Sequence, residues 1–267
     1  MHGDELNGIE IVRQILASLD AAALRGTVIA VPIVNVFGVT LGSRYLPDRR
    51  DLNRSFPGSA RGSLAARVAS LFCERVVYRS DLGIDFHTGS NGRDNLPQIR
   101  CDLDEPATQG IAAAFHAPLT MHAKHRPGSL RAAAHERGVP VLLYEGGEAD
   151  RFDSKVIDAG VAGALRVMHD REMIRSAPAP DAAPPLVSRS SKWERAGRGG
   201  FCRVSASLGE LVRVGQSLAR ISDSINPSTT HVRARRAGMV ISVLRTGVVH
   251  RGDAVVHVAE TETATAW

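Results

Sequence analysis

Apolar positions follow two alternating spacings over the first 175 residues. Runs rich in β-branched and other apolar residues at 27–34, 82–86 and 139–144 predict buried strands. Between them the spacing is helical. Ile9, Val12, Ile15, Leu16 and Leu19 fall on one face. Leu64, Val68, Leu71 and Phe72 fall on another, with Ser63 placed to cap the helix start. Residues 156–167 predict a last helix. Alternating strands and helices, with strands apolar on both faces, predict an α/β layer fold.

The pattern then breaks. Residues 176–188 read SAPAPDAAPPLVS, a composition that predicts a stiff, extended linker. Beyond it helical spacing disappears. Short β-rich pieces end in the turns Gly215-Gln216 and Gly252-Asp253, which predicts a small all-β sandwich or barrel. The expected division is a domain over 1–175, a linker over 176–188 and a β domain over 189–260. Residues 260–267, ETETATAW, read as a frayed tail.

Composition narrows the function classes. The 267 residues suffice for one large domain with a small second one. Apolar residues make up 43% but aromatics only 4%, so the core must be built from Ala, Val, Leu and Ile. No apolar run is long enough to span a bilayer, and no basic-then-apolar opening marks a secretory signal. A cytoplasmic protein without a membrane partner is the expectation. The net charge is +5, yet the lysines are only Lys124, Lys155 and Lys192, and the arginines are scattered. That argues against nucleic acid, which calls for a basic face with stacking aromatics. Scattered arginines still draw a small anionic substrate to a cleft. Cys73, Cys101 and Cys202 are odd in number and widely spaced, as reduced thiols are.

Four places carry candidate chemistry. His2 and Glu5, three residues apart in His-Gly-Asp-Glu, can reach one metal ion. Such pairs also occur on solvated surfaces. His87 ends the apolar run LGIDFHTG, where α/β sheets place ligands, although a hydrogen-bonded strand-exit histidine reads the same way. Asp85 can orient a ligand or face the opposite layer. The Pro- and Gly-punctuated loop from Arg44 to Gly58 holds guanidinium groups suited to carboxylates, or is simply a charged solvated loop. Glu145 follows the run 139–144 and precedes Gly146-Gly147, as a proton acceptor or as a turn carboxylate.

In their order, His-Gly-Asp-Glu, Arg…Asp-Leu-Asn-Arg-x-Phe-Pro-Gly, Asp-x-His-Thr-Gly and a strand-end Glu-Gly-Gly resemble the succinylglutamate desuccinylase and aspartoacylase family. The resemblance covers roughly residues 1–175. It implies a zinc carboxypeptidase-like fold, with a mixed sheet flanked by helices and a small C-terminal all-β domain. It implies one zinc ion per chain, held by His2, Glu5 and His87. It implies Glu145 as general base and acid, Arg44 as the group that polarises the scissile carbonyl, and Asn53 with Arg54 as the pair holding the substrate carboxylate. The implied reaction cleaves the amide bond of an N-acyl amino acid or a similar carboxylate-bearing small molecule. A carboxypeptidase-like or ester-cleaving activity on the same site is the alternative, as is a non-catalytic anion-binding protein.

Departures from the family pattern matter too. The chain starts at the metal motif, so strands expected upstream are missing and His2 is expected on a frayed end. The β domain resembles a biotinyl or lipoyl half-barrel, but the hairpin region HVRARRAGMV has no lysine and Lys192 is the only one in the domain. A covalent carrier is therefore excluded. A lid, a gating wall or a homo-oligomer contact through exposed β edges is expected instead. The spacing of His116, His122, His125 and His135 suits no compact second metal site.

Overall fold

The computed structural model describes residues 1–181, 183–225 and 228–260. The expected tail residues 261–267 lie outside them. Helix α1 (Asn7–Ser18) buries Gly8, Ile11 and Ile15, while Leu16 is exposed. The helix is thus rotated from the stripe expected in the sequence. Asn35 caps α2 (Val36–Leu41) by accepting from the Gly38 amide. Ser63 caps α3 (Leu64–Arg75), as its position predicts, by accepting from the Ala66 amide. The remaining helices are α4 (Pro106–Phe115), α5 (Leu130–His135) and α6 (Ser154–Asp170).

Strands β1 (Gly83–Gly89), β2 (Arg93–Cys101), β3 (Leu119–His122) and β4 (Val141–Glu148) build the middle layer. β1 pairs parallel with β4, and β4 pairs antiparallel with β2, so the sheet is mixed. Alternation along β4 sends Leu142 and Tyr144 into a core shared with Ile11, Phe115 and Ile157 from α1, α4 and α6. Val141 packs on the other side with Ala69 and Ala133 from α3 and α5. Cys73 and Cys101 are buried free thiols, and Cys202 is a half-buried one.

The C-terminal part is all-β: β5 (Leu186–Ser188), β6 (Ser191–Arg195), β7 (Gly200–Val204), β8 (Leu211–Val212), β9 (Ser217–Ser222), β10 (Thr229–Arg233), β11 (Gly238–Leu244), β12 (Val248–Val249) and β13 (Ala254–Ala259). Among the described residues it closes no barrel. β10, β9, β7 and β12 form a four-stranded sheet. β11, β13 and β6 instead extend the first sheet, in the order β1-β4-β2-β11-β13-β6. The seam is the antiparallel pairing of Arg93, Asp94 and Asn95 with Leu244, Val243 and Ser242. The expected linker therefore does not divide the sheet. Its last residues form β5, which pairs with β3.

Residues 27–34 form no strand, contrary to expectation. A strand needs a neighbour about 4.8 Å away. Here a mostly apolar cavity of about 940 Å³ lies against both residues 27–35 and the Gly83–Phe86 stretch of β1, whose only ladder partner among the described residues is β4. Ile9 and Val12, the flank of α1 turned out of the core, line the same cavity. Among the described residues no helix is long and apolar enough to cross a membrane.

One contact near the seam has a pH consequence. His257 on β13 stacks on Trp193 of β6, with ring centroids 4.3 Å apart. Burial pushes the imidazole down to about 3, and Arg100 and Arg93 push the same way. An ordinary histidine titrates near 6.5. Between these values the unfolded chain binds a proton that the folded chain refuses, so stability falls as pH falls through that window. The slope from this one group is about 1.4 kcal/mol per pH unit. Urea unfolding at pH 6.5 and pH 5 should show His257→Gln losing roughly 2 kcal/mol less than wild type over that interval. Equal losses would remove His257 as the cause.

Candidate active site

His2, Glu5 and His87 come together although 82 residues separate the last two. Glu5 precedes α1, and His87 lies in register with Glu145 across the β1–β4 pair. His2 Nδ1 lies 2.7 Å from Glu5 Oε1, and His87 Nδ1 lies 2.7 Å from Glu5 Oε2. All three side chains are buried. His2 is not frayed: the Gly3 amide donates to the Ser43 carbonyl, and the imidazole is held on both nitrogens. Gly3 itself is required by close approach, because a Cβ there would lie 1.9 Å from the Gly38 carbonyl carbon.

The outer nitrogens are also held. His2 Nε2 is 3.1 Å from Asp51 Oδ1, and His87 Nε2 is 2.9 Å from Asp85 Oδ2. A carboxylate only accepts, so each Nε2 carries a proton and donates. In the neutral imidazole that leaves a lone pair on each Nδ1, facing the oxygens of Glu5. Three electron-rich atoms facing one another make a donor set for a cation, with the carboxylate-backed histidines that metal sites use. The ligand atoms lie within 4.8 Å of one another. The residues therefore fit a divalent transition metal.

Without an ion, charge in the cluster is balanced by protons and by Arg44. Burial opposes the charged form of His87, but Asp85 and Glu5 outweigh it and raise the group to about 10. Burial likewise opposes an ionised Glu5, yet His87 and His2 hold it well below the usual carboxylate range. Arg44 donates from Nη1 to Glu5 Oε1 at 3.0 Å and from Nη2 to Asp51 Oδ2 at 3.0 Å. The Asp51 carbonyl and side chain also organise the turn Leu52–Arg54, which carries the expected anion-binding pair.

A second cavity of about 500 Å³ opens on this cluster. His2, Glu5, His87, Arg44, Asn53, Arg54 and Glu145 all line it, so every residue to which the family resemblance gives a role reaches one space. Glu145 differs from expectation in its local structure. It lies inside β4, which runs on through Gly146-Gly147 to Glu148 without a turn. Gly147 has a φ of 72°, which allows the irregular register there. Asn95 donates to Glu145 Oε2 at 2.7 Å and leaves Oε1 uncommitted to it. Asn53 is partly engaged, since its Oδ1 accepts from the Leu130 amide. Burial and then Arg126 depress the Arg54 guanidinium.

Sequence reasoning missed the roles of Asp51, Asn95, Arg93, Arg100, Arg126, Arg131 and Trp193, the last six of which line the cavity. Asp51 was legible within its motif. Asn95, Arg93, Arg100 and Trp193 are brought in by strand register, whereas Arg126 precedes α5 and Arg131 lies on it. The spacing argument against a second histidine cluster needs correcting. His125 and His135 meet Glu105, and His122 meets Asp102 and Asp104. The acids come from the β2–α4 connection, some 20 residues earlier, which a count along the histidines alone cannot see. The rings of His125 and His135 stack at 22°, so their in-plane lone pairs do not converge on one ion.

Comparison with known proteins gives a consistent picture. The family model described as the succinylglutamate desuccinylase/aspartoacylase catalytic domain matches residues 1–171. N-alpha-acetyl-L-2,4-diaminobutyric acid deacetylase from Halomonas elongata is 28% identical over 282 residues, covering 97% of this chain and 80% of that protein. A product-bound structure of the ectoine utilization protein EutE (DoeB) from Ruegeria pomeroyi superposes with a TM-score of 0.86 at 28% identity, covering 97% of this chain and 83% of that one. A succinylglutamate desuccinylase/aspartoacylase from Rhodobacter sphaeroides gives 0.88, also at 28% identity, covering 98% and 83%.

Proposed function

Because the chain belongs to the succinylglutamate desuccinylase/aspartoacylase family, we propose that it is a zinc-dependent deacylase that cleaves the amide bond of a small, carboxylate-bearing N-acyl amino acid. The observation that carries this reading is the convergence of His2, Glu5 and His87 on one locus, with Glu145 lining the same 500 Å³ cavity. The Halomonas relative, whose name specifies removal of an acetyl group from an α-amino nitrogen, supports the bond type. The free thiols fit a cytoplasmic setting.

In this reading His2, Glu5 and His87 hold the ion, and Asp51 and Asp85 fix the two rings. When bound, zinc supplies Lewis acidity and makes a nucleophilic water available at neutral pH. Glu145 accepts the proton of the attacking water and passes it to the leaving nitrogen. Asn95 holds one oxygen of Glu145 so that the other faces the reaction. Arg44, already 3.0 Å from a Glu5 oxygen, stands where negative charge develops on the carbonyl oxygen. Arg54 and the amide of Asn53 bind the substrate carboxylate.

The test is a panel of N-acyl amino acids offered to the zinc-supplemented protein, with release of free amino acid measured by amine derivatisation. Turnover confined to substrates with a free carboxylate is the expected outcome. No release from any amide, or equal release from carboxyl-amidated analogues, would sink the proposal.

A further inference from the structure

One side of the cleft is a loop, residues 123–129, which joins β3 to α5. Ala123, Lys124, Arg126 and Ser129 line the cleft, and His125 does not. In extended chain successive side chains alternate in direction. With Lys124 and Arg126 on the cleft side, His125 is turned behind the loop.

Both ends of the loop are fixed by hydrogen bonds. Arg131 of α5 donates to the Ala123 and Lys124 carbonyls at 3.2 and 3.1 Å. The Gly128 carbonyl accepts from the Phe56 amide, and the Leu130 amide donates to Asn53 Oδ1, which ties the far end to the Leu52–Arg54 turn. The middle has no such hold. Among the described residues the amides of Lys124, His125 and Arg126 donate no hydrogen bond. Arg126 is also close enough to Arg54 to help depress that guanidinium. Like charges repel, so the loop moves outward unless something holds it.

The hold lies behind the loop. The His125 ring stacks on the His135 ring, with centroids 4.3 Å apart and 22° between the planes. His135 ends α5. Glu105, just before α4, places Oε1 2.8 Å from His135 Nδ1 and 3.8 Å from His125 Nδ1. Its side chain does not cap α4, so its carboxylate is turned to the two rings instead. The His125 side chain is 15% exposed and that of His135 is 53% exposed, so His125 is the enclosed member of the stack. Burial and then Arg131 lower the His125 imidazole, while Glu105 pushes the other way. The ring is therefore neutral at pH 7, and two stacked cations are avoided.

We propose that His125, His135 and Glu105 form a latch behind this loop, which holds Arg126 beside Arg54 at the mouth of the cleft. All three are positioning residues that touch no substrate. The inference rests on the cleft being the substrate site and extends it. Two cations kept together raise the local concentration of an anionic substrate. The latch thus acts on KM and leaves the proton transfer at Glu145 alone.

Limited trypsin digestion and steady-state kinetics of the zinc-supplemented chain test this together. Within the loop trypsin cuts only after Lys124, because Pro127 follows Arg126. Cleavage there follows the population of the open loop. His135→Ala and Glu105→Ala leave the cleaved sequence intact, and having two variants guards against one that fails to fold. Each should speed cleavage at Lys124, read by mass spectrometry, and raise KM for N-acetyl amino acids. The expected change in each is roughly three- to tenfold, the worth of one aromatic stack, with kcat unchanged. His135→Phe keeps a ring for His125 to stack on and should restore most of both. Wild-type cleavage in both alanine variants, faster cleavage without a change in KM, or a fall in kcat that His135→Phe does not rescue would overturn the latch. An inactive wild type whose alanine variants are cut faster at Lys124 would keep the latch and remove the deacylase. Hydrolysis by wild type with no effect of either variant would do the reverse.

Discussion

Glu145→Gln should lower kcat by about 10²–10⁴-fold, the usual worth of a positioned acid–base group, and leave metal content unchanged. Glutamine keeps the shape and can still accept from Asn95, whose bond to Oε2 is 2.7 Å long. It cannot take a proton at neutral pH. Glu145 is not among the three residues whose ligand atoms converge, so stoichiometry by metal analysis should stay at one ion per chain. KM should move little, because Arg54, proposed to bind the substrate carboxylate, lies on a separate element, the Leu52–Arg54 turn. Near-normal turnover would move the base elsewhere in the cleft, and loss of the ion would make Glu145 a ligand.

The position of Glu145 also measures how far the sequence could be read. The residue was legible because it follows an apolar run and precedes two glycines. Its setting was misread because Gly-Gly usually marks a turn. Here Gly147 at φ 72° permits a register irregularity within a continuing strand. The convergence of His2, Glu5 and His87 was legible because His2 and Glu5 are local and His87 follows an apolar run with a clear signature. Residues 27–34 carry the composition of a strand but lack a neighbour, and pairing is a property of the partner as much as of the segment. The seam was invisible for the same reason. Nothing in β2 or β11 alone announces that they pair, so Trp193 reads as a residue of a separate domain until the register carries it to the cleft.

Zinc should stabilise the folded chain, and His87→Ala should abolish the effect. An ion that binds the native state alone adds about 2.7 kcal/mol at a hundredfold excess over its dissociation constant. Denaturant melts with and without zinc measure this independently of turnover. His87→Ala removes one of three ligands and one of the two imidazoles that balance Glu5, which is 5% exposed. Stripping a partner from a buried charge costs about 3–5 kcal/mol, so the variant should be weaker than metal-free wild type as well as blind to zinc. The two losses separate the roles of the residue: the first reports ion pairing with Glu5 and Asp85, the second reports ligation. A chain that is indifferent to zinc in wild type, yet binds carboxylates, would be an anion-binding protein built on a hydrolase fold. The His2–Glu5–His87 cluster would then be held by protons and Arg44 rather than by an ion.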